Sequence, residues 1–323
     1  MNHFALIGIG CGLVSALLFG AVRNFSLVSL MIFFLVPLPI YIAGLSKGAV
    51  TAAIGAAVGA VAIGFGIGGA AGQSFLVSIG IAPIALSYLA LLSRSSGGNG
   101  DQAAHTVEWY PVGRLVLWCA VLAATVMTVS ALLSGIDGAS IRSMLREMFE
   151  IWQNTRPELK AQMDQSGGIE RWIEFLAGLL PGVSTSILTV LIFCNLWLAA
   201  KVLETSGHAA RPWPPFRDIE FPRTALAALA ACLFASLLPA EFGLIGRGFA
   251  GALITAFAIL GLAVLHHATQ GFPARAFMLA TAYFAIFTFN WLAALPLACL
   301  GIAELGFGLR ARRSAGRSGG SPT

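Results

Sequence analysis

An all-α, polytopic transmembrane helical bundle of nine or ten membrane segments is the fold this sequence predicts, and three observations carry the prediction. The 323 residues are 58% hydrophobic and only 10% charged, with a mean hydropathy of +0.85, whereas soluble domains are roughly 25% charged. Only two of the first 93 residues, Arg23 and Lys47, carry a formal charge, and 48–93 holds no Asp, Glu, Lys, Arg or His. A charged side chain at mid-bilayer costs roughly 2.5–3.5 kcal/mol, so a chain this poor in charge has lipid as its solvent. Third, the charges stand where apolar runs end, and those runs are about 20 residues long, the length a helix needs to cross the hydrocarbon core. Leu/Ala/Gly-rich runs of this length do not alternate as barrel strands must.

The segments follow in order as 4–22, 25–44, 49–69, 74–93, 113–134, 175–201, 223–240 and 246–266. The first has no basic leader and runs straight into the second, so it reads as a retained span. A last apolar stretch, 276–309, is too long for one ordinary span and contains Asn290 and Pro296. It is either one long kinked helix or two short helices turning near Asn290-Trp291. The whole of 1–310 reads as a single membrane domain with an extramembrane insert at 135–174 and a Pro-rich loop at 204–222, and 311–323 as a disordered basic tail.

Lys and Arg in the connections orient the chain. With the N-terminus inside, the cytoplasmic loops receive Lys47, Arg94, Arg114, Lys201, Arg211, Arg217, Arg223 and Arg275. The other side receives Arg23, Arg247 and the insert, a long loop that translocates largely regardless of charge. The tail, with Arg310, Arg312, Arg313 and Arg317, joins the cytoplasmic side if 276–309 crosses twice. The favoured arrangement is therefore ten segments with both termini cytoplasmic.

Two connections have character. Within the insert, Ile141, Met144, Leu145, Met148, Phe149 and Trp152 recur at helical spacing opposite Arg142, Arg146, Glu147 and Glu150, an amphipathic helix for the membrane interface. Thr155-Arg156-Pro157-Glu158 reads as a capping box that starts a second short helix, and Ser166-Gly167-Gly168 ends it. The Pro-rich loop carries Arg211-Pro212-Trp213-Pro214-Pro215-Phe216-Arg217, whose prolines enforce an extended path. Its Arg and aromatic residues are served by lipid headgroups, so no nucleic-acid partner is expected.

Small residues recur at every fourth position in two stretches: Gly8, Gly12, Ala16 and Gly20, then Gly44, Gly48, Ala52, Ala56, Ala60, Gly64, Gly68 and Gly72. Residues four apart share a helix face, and small ones let two backbones approach closely. Tight packing within the bundle is the expectation, with docking of another protein as the alternative.

Chemistry is sparse. The string Gly64-Phe65-Gly66-Ile67-Gly68-Gly69 follows no strand and lacks the Lys-Ser/Thr of a phosphate loop, and with no Walker A pattern elsewhere in the sequence, ATP hydrolysis by this chain alone is not expected. The five cysteines, Cys11, Cys119, Cys194, Cys232 and Cys299, are far apart without metal or redox spacing. His266-His267 are adjacent and not the i, i+4 pair that a metal prefers. No catalytic set, no cofactor and no metal site is expected. Polar groups at membrane depth are the remaining candidates. Asn195, Asn290 and Glu304 are the candidate substrate-binding residues, each with a structural alternative: the amides can bridge helices, and Glu304 can snorkel near the interface or pair with a neighbouring helix. Ser184, Thr185, Ser186 and Thr189 follow Pro181-Gly182, marking either a locally satisfied kink or a broken helix.

The charge-poor first four spans, the exit Asn195-Leu196-Trp197-Leu198-Ala199-Ala200-Lys201, Arg211-Pro212-Trp213-Pro214, Ala274-Arg275-Ala276-Phe277, Gly301-Ile302-Ala303-Glu304 and Leu309-Arg310 together resemble the YybS-like family of bacterial polytopic membrane proteins, over roughly 1–310. The resemblance implies a distant similarity to the substrate-binding membrane components of energy-coupling-factor transporters, which dock a separate ATPase module through small-residue helix faces. The insert and the larger span count depart from the compact six-helix form of those components. The leading expectation is a non-enzymatic membrane component that binds or moves a small solute or lipid-like molecule, with membrane lipids and a separate ATPase or other membrane protein as partners. The alternative is a non-transport scaffold for envelope assembly.

Overall fold

The computed structural model describes residues 3–21, 26–96, 106–155, 168–289 and 291–312. Its helices are α1 (His3–Gly20), α2 (Leu27–Leu35), α3 (Leu38–Lys47), α4 (Ala49–Gly66), α5 (Gly69–Phe75), α6 (Ile81–Ala90), α7 (Val112–Leu133), α8 (Gly138–Thr155), α9 (Ile169–Thr205), α10 (Thr224–Ala235), α11 (Ala240–Ala268), α12 (Arg275–Phe289) and α13 (Trp291–Phe307). A π turn over Leu76–Gly80 joins α5 to α6, and an antiparallel pair, β1 (Ser93–Ser96) with β2 (Thr106–Trp109), follows α6.

Seven segments among the described residues are long and apolar enough to cross a membrane, and three shorter apolar helices, at Thr224–Ala235, Arg275–Thr288 and Ala294–Phe307, accompany them. The second span is two helices: Pro37 has no N–H for the carbonyl four residues back, so the ladder breaks between α2 and α3. At α9 the opposite holds. Pro181 lies inside a helix that continues for 37 residues, about 55 Å of rise against a core of about 30 Å, so its first turns project beyond the bilayer.

Glycine contacts set the directions. A Cβ on Gly8 would meet the Thr51 carbonyl at 2.8 Å, and one on Gly12 would overlap that of Gly55. The step is equal and in the same sense, so α1 and α4 run parallel. At the end of α3, Gly44 abuts Ser87 of α6, three residues before Ala90. From there the Ala90 and Tyr110 carbonyls both accept from Arg211, Trp213 and Phe216 pack on Trp197 of α9, and Phe216 packs on His266 of α11. Arg310 closes the chain of contacts by donating to the Arg217 carbonyl at 3.0 Å. The Lys47, Ala90, Lys201, His266 and Arg310 ends therefore share one end of the bundle, here the basic end. The stretch 275–310 leaves that end and returns to it as two helices, α12 and α13.

The small-residue faces pack in a pattern their spacing alone does not show. α1 meets the line Thr51, Gly55 and Gly59 of α4, one residue before the Ala52, Ala56 and Ala60 line. That second line meets different neighbours: Ala52 lies against Gly44, Ala56 against Gly80, and the Ala60 carbonyl against Gly72. α4 is thus small on two adjacent faces and is gripped on both. Ala16 is buried and Gly20 half-buried. Gly48 and Gly68 sit in turns with φ of 99° and 141°, conformations that glycine alone adopts freely.

Candidate functional site

Asn195 and Glu304 both have hydrogen-bond partners, whereas Ser15 Oγ, Tyr41 Oη and Ser87 Oγ are buried with none among the described residues. Asn195 is 3% exposed, and its Nδ2 donates to the Leu191 carbonyl at 2.9 Å and to the Phe34 carbonyl at 2.7 Å. Phe34 is among the last four residues of α2, whose carbonyls lack intrahelical donors, so Asn195 ties α9 to the end of α2. Its Oδ1 is buried without a partner among the described residues. Glu304 is near the basic end, where Oε1 accepts from Arg310 Nε at 2.8 Å and Oε2 accepts from the Arg310 backbone N–H at 3.2 Å. Both side chains of that pair are about one-tenth exposed, 9% for Glu304 and 11% for Arg310. Asn290 lies outside the described residues. The structure does not bring Asn195 and Glu304 together: one joins α9 to α2, the other locks the chain after α13.

At Pro181 the hydroxyls serve the backbone. Thr185 Oγ1 lies 2.7 Å from the Gly248 carbonyl and about as near those of Pro181 and Gly182. Ser186 Oγ lies 2.8 Å from the Gly182 carbonyl and 3.0 Å from that of Gly251. Thr189 donates to Thr185. Between these bonds Gly182 and Gly251 cross so closely that a Cβ on Gly251 would overlap the Gly182 backbone. The segment is a continuous helix bonded to α11. A comparable crossing joins Gly261 of α11 to Gly301 of α13, a pair 40 residues apart that no local spacing reveals.

Three other features involve Arg211, a cleft on α7 and the start of α9. In the Pro-rich loop Arg211 is 5% exposed. Its Nη1 donates to the Ala90 and Tyr110 carbonyls at 2.8 and 2.9 Å, and the guanidinium stacks 4.8 Å from the Trp213 ring centre. Burial lowers its pKa to about 10, so it stays protonated at neutral pH. Beside it, Tyr110, Arg114, Leu117, Trp118, Val121, Pro222 and Thr224 line an open cleft of about 300 Å³. Trp118 Nε1 donates to Tyr110 Oη at 3.0 Å, and Arg114 lies 5.9 Å above the Tyr110 ring. Neither Asn195 nor Glu304 lines this cleft.

The projecting start of α9 carries α8. Leu145 and Phe149 are buried against Ile173 and Ala177, Arg142 pairs with Glu174 at 2.8 Å, and Arg146 pairs with Glu170 at 2.9 Å. The amphipathic helix expected at 141–152 is thus present, docked on α9 by its apolar face. It leaves Met144, Ile151 and Trp152 exposed, beside the exposed Trp172 and Phe175 of α9. Asp137 caps α8 through the Ser140 N–H at 2.8 Å, and the Ser140 bonds hold its carboxyl below its usual pKa. Thr155 ends α8, its hydroxyl bonded back to Ile151; the rest of the expected capping box, 156–158, lies outside the described residues.

A family model described as a predicted membrane protein family, DUF2232, matches residues 13–305. The chain belongs to this family. No curated protein and no solved structure matches it. Membership of DUF2232, with the apolar helices, makes the chain an integral membrane protein of several spans. Among the described residues of this DUF2232 protein no group of three or more His, Cys, Asp or Glu side chains is placed to hold a metal ion.

Proposed function

We propose that the protein is a membrane-embedded docking scaffold of the bacterial inner membrane, with both termini on the cytoplasmic side. The observation that carries this reading is the projecting α8–α9 unit. It is fastened by a buried apolar seam and two ion pairs, yet presents Met144, Ile151, Trp152 and Phe175 to the surroundings. Rigid helices that expose aromatic and large apolar side chains outside the hydrocarbon core are suited to a protein partner. The bonds made by Asn195 and Glu304 support the same reading, because a carrier needs polar groups at depth free for its cargo.

A transporter-like component, as the YybS-like resemblance implies, is the second reading. It is favoured by the orphan Asn195 Oδ1, an acceptor that a bound solute can satisfy. Affinity purification in mild detergent separates the two. Envelope proteins that co-purify with the native chain and are lost from a Trp152→Ser, Phe175→Ser variant support the scaffold. An ATPase module retained by both supports the transporter and overturns the scaffold.

A further inference from the structure

We propose that the cleft beside α7 is a binding site for the phosphate headgroup and upper acyl chain of an anionic glycerophospholipid from the leaflet at the basic end. Arg114, Leu117, Trp118 and Val121 lie at i, i+3, i+4 and i+7 of α7, which makes them one continuous helix face. That face is graded by depth. Arg114 stands in the first turn of α7, at the basic end, and Val121 lies about 10 Å further along the helix. Pro222 and Thr224 complete the lining.

A cation at the mouth, a leucine and a tryptophan about one turn below it and a valine deeper, with Tyr110 bonded to the tryptophan, make the polarity profile of a lipid. Arg114 is exposed and makes no ion pair among the described residues, and Arg223, also exposed, adjoins Pro222 and Thr224 in sequence. Bidentate guanidinium donors suit a phosphodiester. The Trp118–Tyr110 hydrogen bond holds the aromatic wall in place, so the cleft is formed before a ligand arrives. Its volume of about 300 Å³ matches a headgroup with the first carbons of a chain and leaves the remainder in the bilayer.

The test uses the full chain in nanodiscs. Phosphatidylglycerol with brominated acyl chains should quench Trp118 emission more than brominated phosphatidylcholine does, and Trp118→Phe should remove that difference. Arg114→Gln should weaken phosphatidylglycerol binding about fivefold, the effect of one cation near a membrane surface. Lys47→Gln, an exposed cation at the same end but outside the cleft, should leave it unchanged. Inorganic phosphate at millimolar concentration should not compete. Competition by phosphate would make this a free-anion site. Equal quenching by both lipids, or equal losses in Arg114→Gln and Lys47→Gln, would overturn the proposal even in the native protein.

Discussion

Arg211 Nη1 donates to the carbonyl of Ala90 at 2.8 Å across 121 positions of sequence. The same nitrogen reaches Tyr110, so one buried cation joins the Pro-rich loop, the last turn of α6 and the entry to α7. The site suits a cation because Ala90 ends a helix, where the carbonyls carry partial negative charge, and because the Trp213 face lies over the guanidinium. Arg211→Ala leaves both carbonyls without this donor and should destabilise the detergent-solubilised protein by roughly 2–3 kcal/mol. It should also make the 206–222 loop susceptible to proteolysis. Arg211→Lys should recover only part of the loss, since an ammonium does not stack as a planar group does. Thermal unfolding and limited proteolysis measure both effects.

The two small faces of α4 predict a sharp contrast within α1. Gly12→Ala puts a methyl group into the Gly55 carbonyl, and Gly10→Ala meets nothing within 4 Å. Because the obstacle at Gly12 is backbone, no side chain can rotate away, and overpacking of this kind costs about 1–3 kcal/mol. Gly12→Ala and Gly55→Leu should lower the melting temperature and the folded yield, and Gly10→Ala should leave both unchanged. Ala56→Leu, buried against Gly80, should behave like Gly55→Leu. Size-exclusion profiles of fluorescent fusions read the outcome.

These cases show where the fold was legible in the sequence. Helix content and span positions follow from apolar length, because lipid tolerates few charges, and the every-fourth spacing marks α1 and α4 as close-packed. Which line of α4 meets which neighbour is not in that spacing, since Gly55 and Gly59 sit one residue beside the Ala56 line and only tertiary contact distinguishes them. Asn195 and Glu304 stood out for their polarity, but their partners, Phe34 and Arg310, are supplied by the arrangement of helices and by the turn at Gly308. The Arg211 clamp and the Arg114 cleft were missed. Both sit in loops or first turns, where arginine is common and nothing local shows which one is buried and which stands at a cavity.

The attachment of α8 decides between two kinds of force. Its ion pairs are about half exposed, with side-chain exposures of 44% and 60% for Arg142 and Glu174, and such pairs contribute roughly 0–1 kcal/mol. Phe149 is 3% exposed, and truncating a buried phenylalanine costs about 3–5 kcal/mol. Phe149→Ala should therefore release α8, seen as fast amide exchange from 138 to 155. Arg142→Gln with Arg146→Gln should leave the helix docked.

The cap on α8 gives that exchange a pH dependence. The Ser140 hydrogen bonds lower the Asp137 pKa below its ordinary 3.8. For a depressed carboxylate the stabilisation is fully present above the unfolded value and is lost as pH falls through the folded one. Amide protection at the start of α8 should hold from neutral pH to about pH 4 and decline below it. Asp137→Asn retains a capping oxygen and should remove the pH dependence while keeping most of the protection; a profile identical to that of the native chain would show that another group governs it.

Glu304 and Arg310 offer the most direct separation of a structural acid from a cargo site. If the carboxylate serves the fold, removing either partner leaves the other nearly buried and uncompensated, at a cost on the order of 3 kcal/mol. Glu304→Gln and Arg310→Gln should each lower thermal stability, and the double variant should be less unstable than the sum of the two, since the second change removes a charge already stranded. Arg310→Gln should also loosen the Pro-rich loop, because Arg310 Nη1 holds the Arg217 carbonyl. A cargo site predicts the reverse: Glu304→Gln folds with native stability and loses binding, and Arg310→Gln does not share its effect. Because Arg310 reaches the carboxylate through both its guanidinium and its backbone N–H, the geometry leads us to expect coupling between the two positions in the melting temperature.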